Sequence, residues 1–450
     1  MKELRPYQLE ALAKMYPLIE AREHFITTMP TGAGKTRIAA DIFMRVREAN
    51  QRCAFIVPAI SLVDQTVQAF HDEGIRGIGV IQADHHMTDW SQPVQVVSVQ
   101  TLIQRFKRGH MPMADIIVVD EIHRWFVKYE EWLHGAWRDL PVIGLSATPG
   151  TKGLGKHFSR LIVGETTQGL IDTGYLSDFN AWAPSSPDLS GVRTVTTFLG
   201  RDYHEQDLGK AVNTAGLVAD IVNTWKARAE KRPTVCFCVN RKHAKHVQEK
   251  FIAAGVVAEY TDYKTPRNQR NAIQERFQRG EIEVVVNVLV LGIGVDWPFV
   301  SCLILAQPTK SEMLYVQMVG RGLRKCEGKD HLLILDHSDN TTRLGFVTDI
   351  HFDRLSKGDK EQQVRGKPLP KPCPRCQFLK PVGVSKCPQC GFQPKPVCDI
   401  VPRSGQLVEL TSRRKPLPDD GKVFHAELRG YAELHGYKPG WAAYQYKARY

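Results

Sequence analysis

The sequence contains no run of about eighteen apolar residues, the minimum for a helix that spans a bilayer. Its opening, Met1-Lys2-Glu3-Leu4-Arg5-Pro6, lacks the apolar stretch that follows the charges of a secretory leader. The expectation is a soluble, cytoplasmic protein with no membrane partner. Ten cysteines are present, but not as the framework of a small secreted domain. Cys53, Cys236, Cys238 and Cys302 lie in apolar, strand-like runs and read as small buried hydrophobes, and Cys326 falls in a loop-like stretch. No close repeat links the two halves of the chain.

With 450 residues, 42% of them apolar, the chain is too long for one ordinary core and suits two or three domains. The net charge of +12 favours a polyanionic partner. Residues 351–450 hold 19 Lys and Arg against 9 Asp and Glu, so most of the excess lies at the end, where a solvated tail is the plain alternative.

The first 150 residues alternate short Val- and Ile-rich runs with amphipathic ones. Strands are expected at Cys53–Val57, Val94–Val99, Asp115–Val119 and Val142–Leu145, with helices over Thr36–Ala49 and Ile60–Glu73. That rhythm implies β-α crossovers and a mostly parallel sheet. It fades near 175–212, where Ala183-Pro184-Ser185-Ser186-Pro187-Asp188 punctuates the chain. It resumes with strands expected at Thr234–Val239, Val256–Tyr260, Val284–Val288, Ser301–Leu305 and His331–Leu335, separated by helices over 240–254 and 267–279. The expected division is a first α/β domain over 1–175, a linker over 176–212, a second α/β domain over 213–350 and a tether over 351–372. Knuckles follow over 373–398, then a basic, aromatic segment over 399–450.

Met29-Pro30-Thr31-Gly32-Ala33-Gly34-Lys35-Thr36 has the composition of a phosphate-binding loop. Gly32 and Gly34 let the backbone curl so that N–H groups face a phosphate. Lys35 brings positive charge to the β- and γ-phosphates of ATP. Thr36 offers a hydroxyl to Mg²⁺ and opens a helix whose N-terminus favours the anion. The strict pattern has Gly where this chain has Met29. Further on, Ile116-Ile117-Val118-Val119-Asp120-Glu121-Ile122-His123 is a buried strand ending in two carboxylates. Strand ends in such sheets face the ligand crevice. Asp120 is placed to hold Mg²⁺, and Glu121 to orient and deprotonate a water.

Here a resemblance becomes explicit. Asp120-Glu121-Ile122-His123 resembles the DEAH-type acidic box of superfamily 2 helicases, and Ser146-Ala147-Thr148-Pro149 is similar to that superfamily's motif III. Leu4-Arg5-Pro6-Tyr7-Gln8 resembles its adenine-sensing Q motif, in which Gln8 could pair the adenine edge with both ends of its amide. Gln317-Met318-Val319-Gly320-Arg321-Gly322-Leu323-Arg324 matches motif VI, whose arginines, Arg321 and Arg324, the resemblance sends across the domain cleft to the γ-phosphate. Residues 287–298 are similar to motif V through Gly294, Asp296 and Pro298, without the hydroxyl residue often found near Gly292. The implied fold is α/β, with two RecA-like P-loop domains built on parallel sheets and a small zinc-ribbon-like tail. The implied ATP-binding residues are Arg5, Gln8, Thr31, Gly32, Ala33, Gly34, Lys35, Thr36, Asp120, Gly294 and Asp296. The implied catalytic residues are Lys35, Asp120, Glu121, Gln317, Arg321 and Arg324.

Three segments that follow strands resemble the superfamily's strand-contacting motifs: Pro58–Gln65, Ser98–Leu102 and Phe237–Ala244. Polar groups and helix starts there can hold phosphates without reading bases, so largely sequence-independent contact is expected. Cys373-Pro374-Arg375-Cys376 and Cys387-Pro388-Gln389-Cys390 are two knuckles whose four thiolates can close a tetrahedron around Zn²⁺. Iron–sulfur ligation and a redox dithiol are the competing readings, and Cys398 is a spare thiol. The last residues mix Trp441 and five tyrosines with Lys and Arg, which suits stacking on bases or a protein partner, and equally a small packed cap.

Finer likenesses, among them Pro308-Thr309-Lys310-Ser311 and Leu333-Ile334-Leu335-Asp336-His337, point to RadD-like DNA repair helicases and similar phage and prophage helicases. These imply an ATP-driven helicase or translocase on DNA, acting in repair, recombination or replication. The alternatives are an RNA helicase and an ATP-gated binding module. No separate nuclease motif occurs in the sequence.

Overall fold

The computed structural model describes residues 3–82, 85–197, 200–229, 231–288, 297–358, 369–394, 418–438 and 440–447. They fall into two units, Met1–Pro394 and Lys395–Tyr450. Among the described residues no helix is long and apolar enough to cross a membrane.

Seven strands near the start pair in parallel: β1 (His24–Thr28), β2 (Cys53–Val57), β3 (Ile78–Ile81), β4 (Val94–Ser98), β5 (Ile116–Asp120), β6 (Val142–Ser146) and β7 (Arg160–Val163), in the order β3-β4-β2-β5-β6-β1-β7. The four apolar residues of β5 are all buried. Such unbroken apolar runs suit strands covered by helices on both faces. The helix Lys35–Glu48 is fastened to the sheet by three rings. Phe43, Phe55 and Phe70 meet edge to face at 6.1, 5.4 and 5.0 Å, joining that helix, β2 and the helix Val63–Asp72. Each such pair adds about 0.5–1.5 kcal/mol beyond the area it buries.

A second parallel sheet follows from β8 (Asp178–Trp182), β11 (Thr234–Cys238), β12 (Ala258–Thr261), β13 (Val284–Asn287), β14 (Cys302–Ala306) and β15 (His331–Asp336), in the order β12-β13-β11-β14-β15-β8. Between β8 and β11 lies an antiparallel hairpin, β9 (Thr194–Thr197) and β10 (Gly200–Tyr203). The expected α/β class with two parallel-sheet domains is therefore the observed one.

The expected linker over 176–212 is corrected. Its first residues form β8, the edge strand that pairs with β15, so the Pro- and Ser-rich stretch at 184–187 follows a strand of the second sheet instead of separating the domains. The hairpin is anchored as well: Asp202 accepts hydrogen bonds from the Thr309 hydroxyl at 2.5 Å and the Lys310 N–H at 2.8 Å. The expected tether is also pinned where it begins. The Ser356 carbonyl accepts from the N–H groups of Gly153 and Gly155, both at 3.0 Å, and a methyl group added at Gly150 would meet Phe352 at 2.7 Å.

The cysteine knuckles belong to the first unit. β16 (Lys371–Pro372) and β17 (Leu379–Lys380) form a short antiparallel pair that flanks the first of them, Cys373–Cys376. Each knuckle reads Cys-Pro-x-Cys-x-Phe and closes alike: Gln377 N–H donates to Cys373 O at 2.8 Å and Gly391 N–H to Cys387 O at 2.9 Å. Gln377 and Gly391, one after each second cysteine, both take positive φ, 63° and 68°. The knuckles lean on β8, where Phe378 meets Trp182 edge to face at 5.2 Å and Gln377 O accepts from Ala183 N–H at 3.1 Å. Arg228 stacks on Trp182 at 5.2 Å and donates to Cys376 O at 3.0 Å. The expected knuckles are thus docked on the edge of the second sheet, where Cys373, Phe378 and Cys387 are buried. Cys398 lies outside the described residues.

In the second unit, the helices Pro418–Leu434 and Trp441–Lys447 bring Tyr437 and Trp441 into a stack at 4.8 Å, with Tyr431 5.9 Å from Trp441. Trp182→Ala should destabilise the second domain by about 3–5 kcal/mol, as truncation of a buried tryptophan does. Denaturant unfolding of the variant checks this, and an unchanged midpoint would show that the knuckles do not depend on that edge.

Candidate active site

The carboxyl ends of β1, β2, β4, β5 and β6 share one rim, set by a parallel register that pairs Thr28 with Ser146 and Val57 with Ser98. Each end delivers a motif: the phosphate loop after β1, Pro58 after β2, Ser98 ending β4, Asp120 ending β5 and Ser146 ending β6. Between this rim and the second domain lies a cleft of about 600 Å³. The first domain lines it with Arg5, Thr31, Gly32, Gly34, Lys35, Thr36, Asp120 and Glu121, and the second with Gln317, Arg321 and Arg324. Gly294 and Asp296 lie outside the described residues.

In the loop, Gly32 and Gly34 have φ of 90° and 84°, a backbone that side chains rarely adopt. Space forbids a side chain too: a methyl at Gly34 would lie 2.5 Å from the Gln8 amide nitrogen, and one at Gly32 would lie 3.1 Å from Arg324 Cγ. Lys35 is curled back over the loop and donates to the carbonyls of Met29 at 3.2 Å and Pro30 at 3.4 Å. Desolvation lowers its pKa, with Glu121 and Asp120 opposing.

The Q-motif residues brace this loop. Tyr7 OH and Gln8 Nε2 both donate to Ala33 O, at 2.8 and 2.9 Å, and Gln8 Oε1 accepts from Arg5 N–H at 3.0 Å. Both ends of the Gln8 amide are therefore engaged within the protein, and Gln8 and Ala33 sit behind the cleft wall. Arg5 faces the cleft, donating to Tyr7 OH at 3.0 Å and stacking on Tyr175 at 4.7 Å. Tyr175, which the sequence reading did not single out, lines the cleft with Arg124 and Lys325.

The acidic pair is held in an unusual turn. Glu121 has φ of 49°, left-handed for a residue with a side chain. Ile122 then folds back over Gly144, where an added methyl would meet it at 2.9 Å, and its N–H reaches Leu145 O at 3.0 Å. The reversal delivers His123 into full burial. Its Nδ1 lies 2.9 Å from Ser146 Oγ and 3.2 Å from Glu121 Oε2, and its Nε2 lies 2.8 Å from Gln317 Nε2 of the second domain. With the Gln317 amide donating, Nε2 accepts and Nδ1 carries the proton toward Ser146 and Glu121. Burial and the neighbouring Glu121 push the Asp120 carboxyl up to about 7, against Lys35. Burial works to raise Glu121 too, but His123, Lys35 and Arg321 outweigh it and hold that carboxyl down, to about 2. The surroundings thus act on the two acids in opposite directions, burial and Glu121 raising Asp120 while His123, Lys35 and Arg321 lower Glu121.

The second domain approaches through the helix Glu312–Gly322. A methyl at Gly320 would meet Thr31 Cβ at 2.9 Å, so the absence of a side chain lets the helix touch the phosphate loop. Arg324 crosses to Gly32, and its backbone bridges to Leu176. The rim's other segments are ordered by caps. Ser98 Oγ accepts from Thr101 N–H at 3.2 Å, Asn240 Oδ1 from His243 N–H at 3.0 Å, and Gln100 ties to Pro58 O at 2.9 Å. Beside them Asp64 joins the domains, hydrogen-bonded to His85 at 2.7 Å and to Arg267.

At the knuckles, the sulfurs of Cys373, Cys376, Cys387 and Cys390 all lie within 4.8 Å of one another. The Cys373–Cys390 and Cys376–Cys387 separations are both 3.7 Å. A tetrahedron with Zn–S bonds of about 2.3 Å sets its sulfurs about 3.8 Å apart, whereas a disulfide needs about 2.05 Å. The four thiols fit a zinc ion.

Residues 1–151 match the family described as Type III restriction enzyme, res subunit, and residues 216–326 match the Helicase conserved C-terminal domain. A 51.5 kDa protein of a Lactococcus phage is 26% identical over 80% of this chain and 76% of its own. IRC3 of Saccharomyces cerevisiae, whose name carries the description ATP-dependent helicase, is 27% identical over 74% of this chain, which spans 51% of its length. The DNA 3'-5' translocase XPB2 of Sulfurisphaera tokodaii is 24% identical over 74% of this chain and 81% of its own. In fold, a fragment ascribed to the HsdR subunit of a type I restriction enzyme from Vibrio vulnificus aligns with a TM-score of 0.59 at 19% identity, over 76% of this chain and 65% of that one. The Type ISP restriction-modification enzyme LlaBIII bound to DNA aligns with a TM-score of 0.54 at 19% identity, over 74% of this chain and 28% of that one. The two family matches fall on the two halves that wall the cleft from opposite sides, and the chain belongs to the superfamily 2 helicases of the DEAD/DEAH type, enzymes that hydrolyse ATP to act as helicases or translocases on nucleic acid.

Proposed function

We propose that this chain is a DNA motor, binding ATP between its two domains and converting hydrolysis into movement along DNA in repair, recombination or replication. The observation that carries the reading is the composite cleft, in which the loop and acids of one domain face two arginines of the other across one nucleotide-sized space. Preference for DNA over RNA draws on one relative whose name specifies DNA, the translocase XPB2, and on the likeness to a DNA-bound restriction enzyme. The RadD-like motifs point the same way.

In this reading the N–H groups of 31–36 and Lys35 hold the phosphates, and Arg5 with Tyr175 flanks the base. Thr36 and Asp120 would hold Mg²⁺, which supplies charge neutralisation at the β- and γ-phosphates. Glu121 takes a proton from the attacking water as its oxygen bonds to the γ-phosphorus and the bridge to the β-phosphate breaks. Arg321 and Arg324 stabilise the charge that develops, a role worth about 10³–10⁵ in rate in other NTPases. Pro58–Gln65, Ser98–Leu102 and Phe237–Ala244 hold the phosphates of the strand. Cys373, Cys376, Cys387 and Cys390 hold Zn²⁺, which staples a segment with little core of its own. The aromatic cluster of the second unit is a surface for a base or a protein partner.

Glu121→Gln should retain ATP and DNA binding while turnover falls by about 10²–10⁴, the usual worth of a general base. Steady-state kinetics beside filter binding tests this, and near-normal turnover removes Glu121 from that role. Cys387→Ser should shed zinc while the two parallel-sheet domains stay folded, and full zinc content by metal analysis would refute the four-cysteine site. ATP turnover should rise with single-stranded or forked DNA and much less with RNA, measured against Lys35→Ala as the blank. Stimulation by RNA alone would turn the reading to an RNA helicase, and indifference to every polynucleotide would end the motor proposal. DNA affinity should also fall steeply with salt, as backbone contacts require.

A further inference from the structure

Beyond the cleft, one lysine occupies an unusual place. The helix Glu312–Gly322 ends just before Arg324, leaving carbonyls that no helical N–H can reach. The chain turns at Gly328, with φ of 78°, and brings Lys329 back beneath that end. Its ammonium donates to Arg324 O at 2.9 Å, to Pro298 O at 3.4 Å and to Gly322 O. Three N–H donors thus meet three main-chain carbonyls. Among the described residues no carboxylate lies within ion-pair distance of Lys329. Burying an ammonium without a counter-ion is unfavourable unless such acceptors compensate, and a cation at a helix C-terminus also answers its dipole.

The three carbonyls are not equivalent in consequence. Pro298 ends the segment similar to motif V, and Gly322 and Arg324 flank the turn that launches Arg324 toward Gly32. Ser177 holds the same turn from its other side, its N–H donating to Leu323 O at 2.7 Å. We propose that Lys329 is a positioning residue for ATP hydrolysis, its ammonium tying Pro298, Gly322 and Arg324 together so that Arg324 is presented to the cleft in one orientation. This rests on the proposed role of Arg324. Lys329 touches neither substrate nor metal and acts only through that backbone.

The test is a double-mutant cycle in the full chain, with Lys329→Met, Arg324→Ala and the pair. Lys329→Met should lower kcat on the order of 10- to 100-fold, the scale of a displaced catalytic group, with little change in KM for ATP. It should add almost nothing on the Arg324→Ala background. Normal kcat in Lys329→Met, or full additivity in the pair, overturns the proposal. Full activity in Arg324→Ala instead overturns the reading on which it rests.

A pH profile gives a second readout, and it serves even where Lys329→Met melts early. Burial lowers the Lys329 pKa to about 8, with Cys326 raising it and Arg324 lowering it as the titratable or charged groups that face it. The ammonium is therefore present below that pH and lost above it, so kcat should fall on the alkaline side near 8. Lys329→Arg, charged throughout, should retain activity and move that fall upward. An alkaline limb left in place by Lys329→Arg overturns the assignment.

Discussion

The structure depends on a buried imidazole that belongs to one domain and is satisfied by the other. His123 has no access to water, so each ring nitrogen needs a protein partner. One finds Ser146 and Glu121 within its own sheet, and the other finds Gln317 across the cleft. Were the domains to separate, the second nitrogen would lose its partner, and the orientation of the first would loosen with it. The state of the cleft is thus reported directly to Glu121, which shares the same imidazole. Opening and closing of this kind is how such domain pairs gate a reaction.

Two glycines make that closeness possible. Gly320 lets the second domain's helix rest against Thr31, and Gly32 leaves room for Arg324 above the phosphate loop. The close approach also concentrates charge. Lys35, Arg321 and Arg324 converge on Asp120 and Glu121, so the site is poised for a ligand that is itself strongly negative. Electrostatics of this kind, set before the ligand arrives, need no reorganisation when it does.

Much of the fold was legible in the sequence. The apolar runs of β2, β4, β5, β6, β11, β13, β14 and β15 could hardly be other than buried strands, and the motifs that follow several of them pointed to one rim. β1, β3, β7 and β8 escaped notice because they are short or carry polar residues. His24-Phe25-Ile26-Thr27-Thr28 has only two strongly apolar positions, and β8 reads Asp-Phe-Asn-Ala-Trp. That the loop and acid-box residues share one cleft was readable, since both motifs follow strands of one parallel sheet. Tyr175 was not, because its contact with Arg5 joins distant parts of the chain, and Lys329 was not, because bonds from a lysine to main-chain carbonyls leave no mark in residue type or spacing. Gln8 shows the opposite limit. Its residue type suited adenine, yet here its amide is spent on Arg5 and Ala33.

The docked knuckles bear on more than metal binding. A six-stranded open sheet ends in a strand whose outer N–H and C=O groups would be free to pair with any passing chain. β8 is such a strand, and Ala183, just beyond it, already gives its N–H to Gln377 while Trp182 bridges to Phe378. The cysteine module therefore serves as an edge guard, shielding part of the open side of the second sheet. Loss of its fold would uncover a strand edge flanked by an exposed tryptophan, a template for self-association, so the module's integrity bears on whether the protein stays dispersed as well as on what it binds.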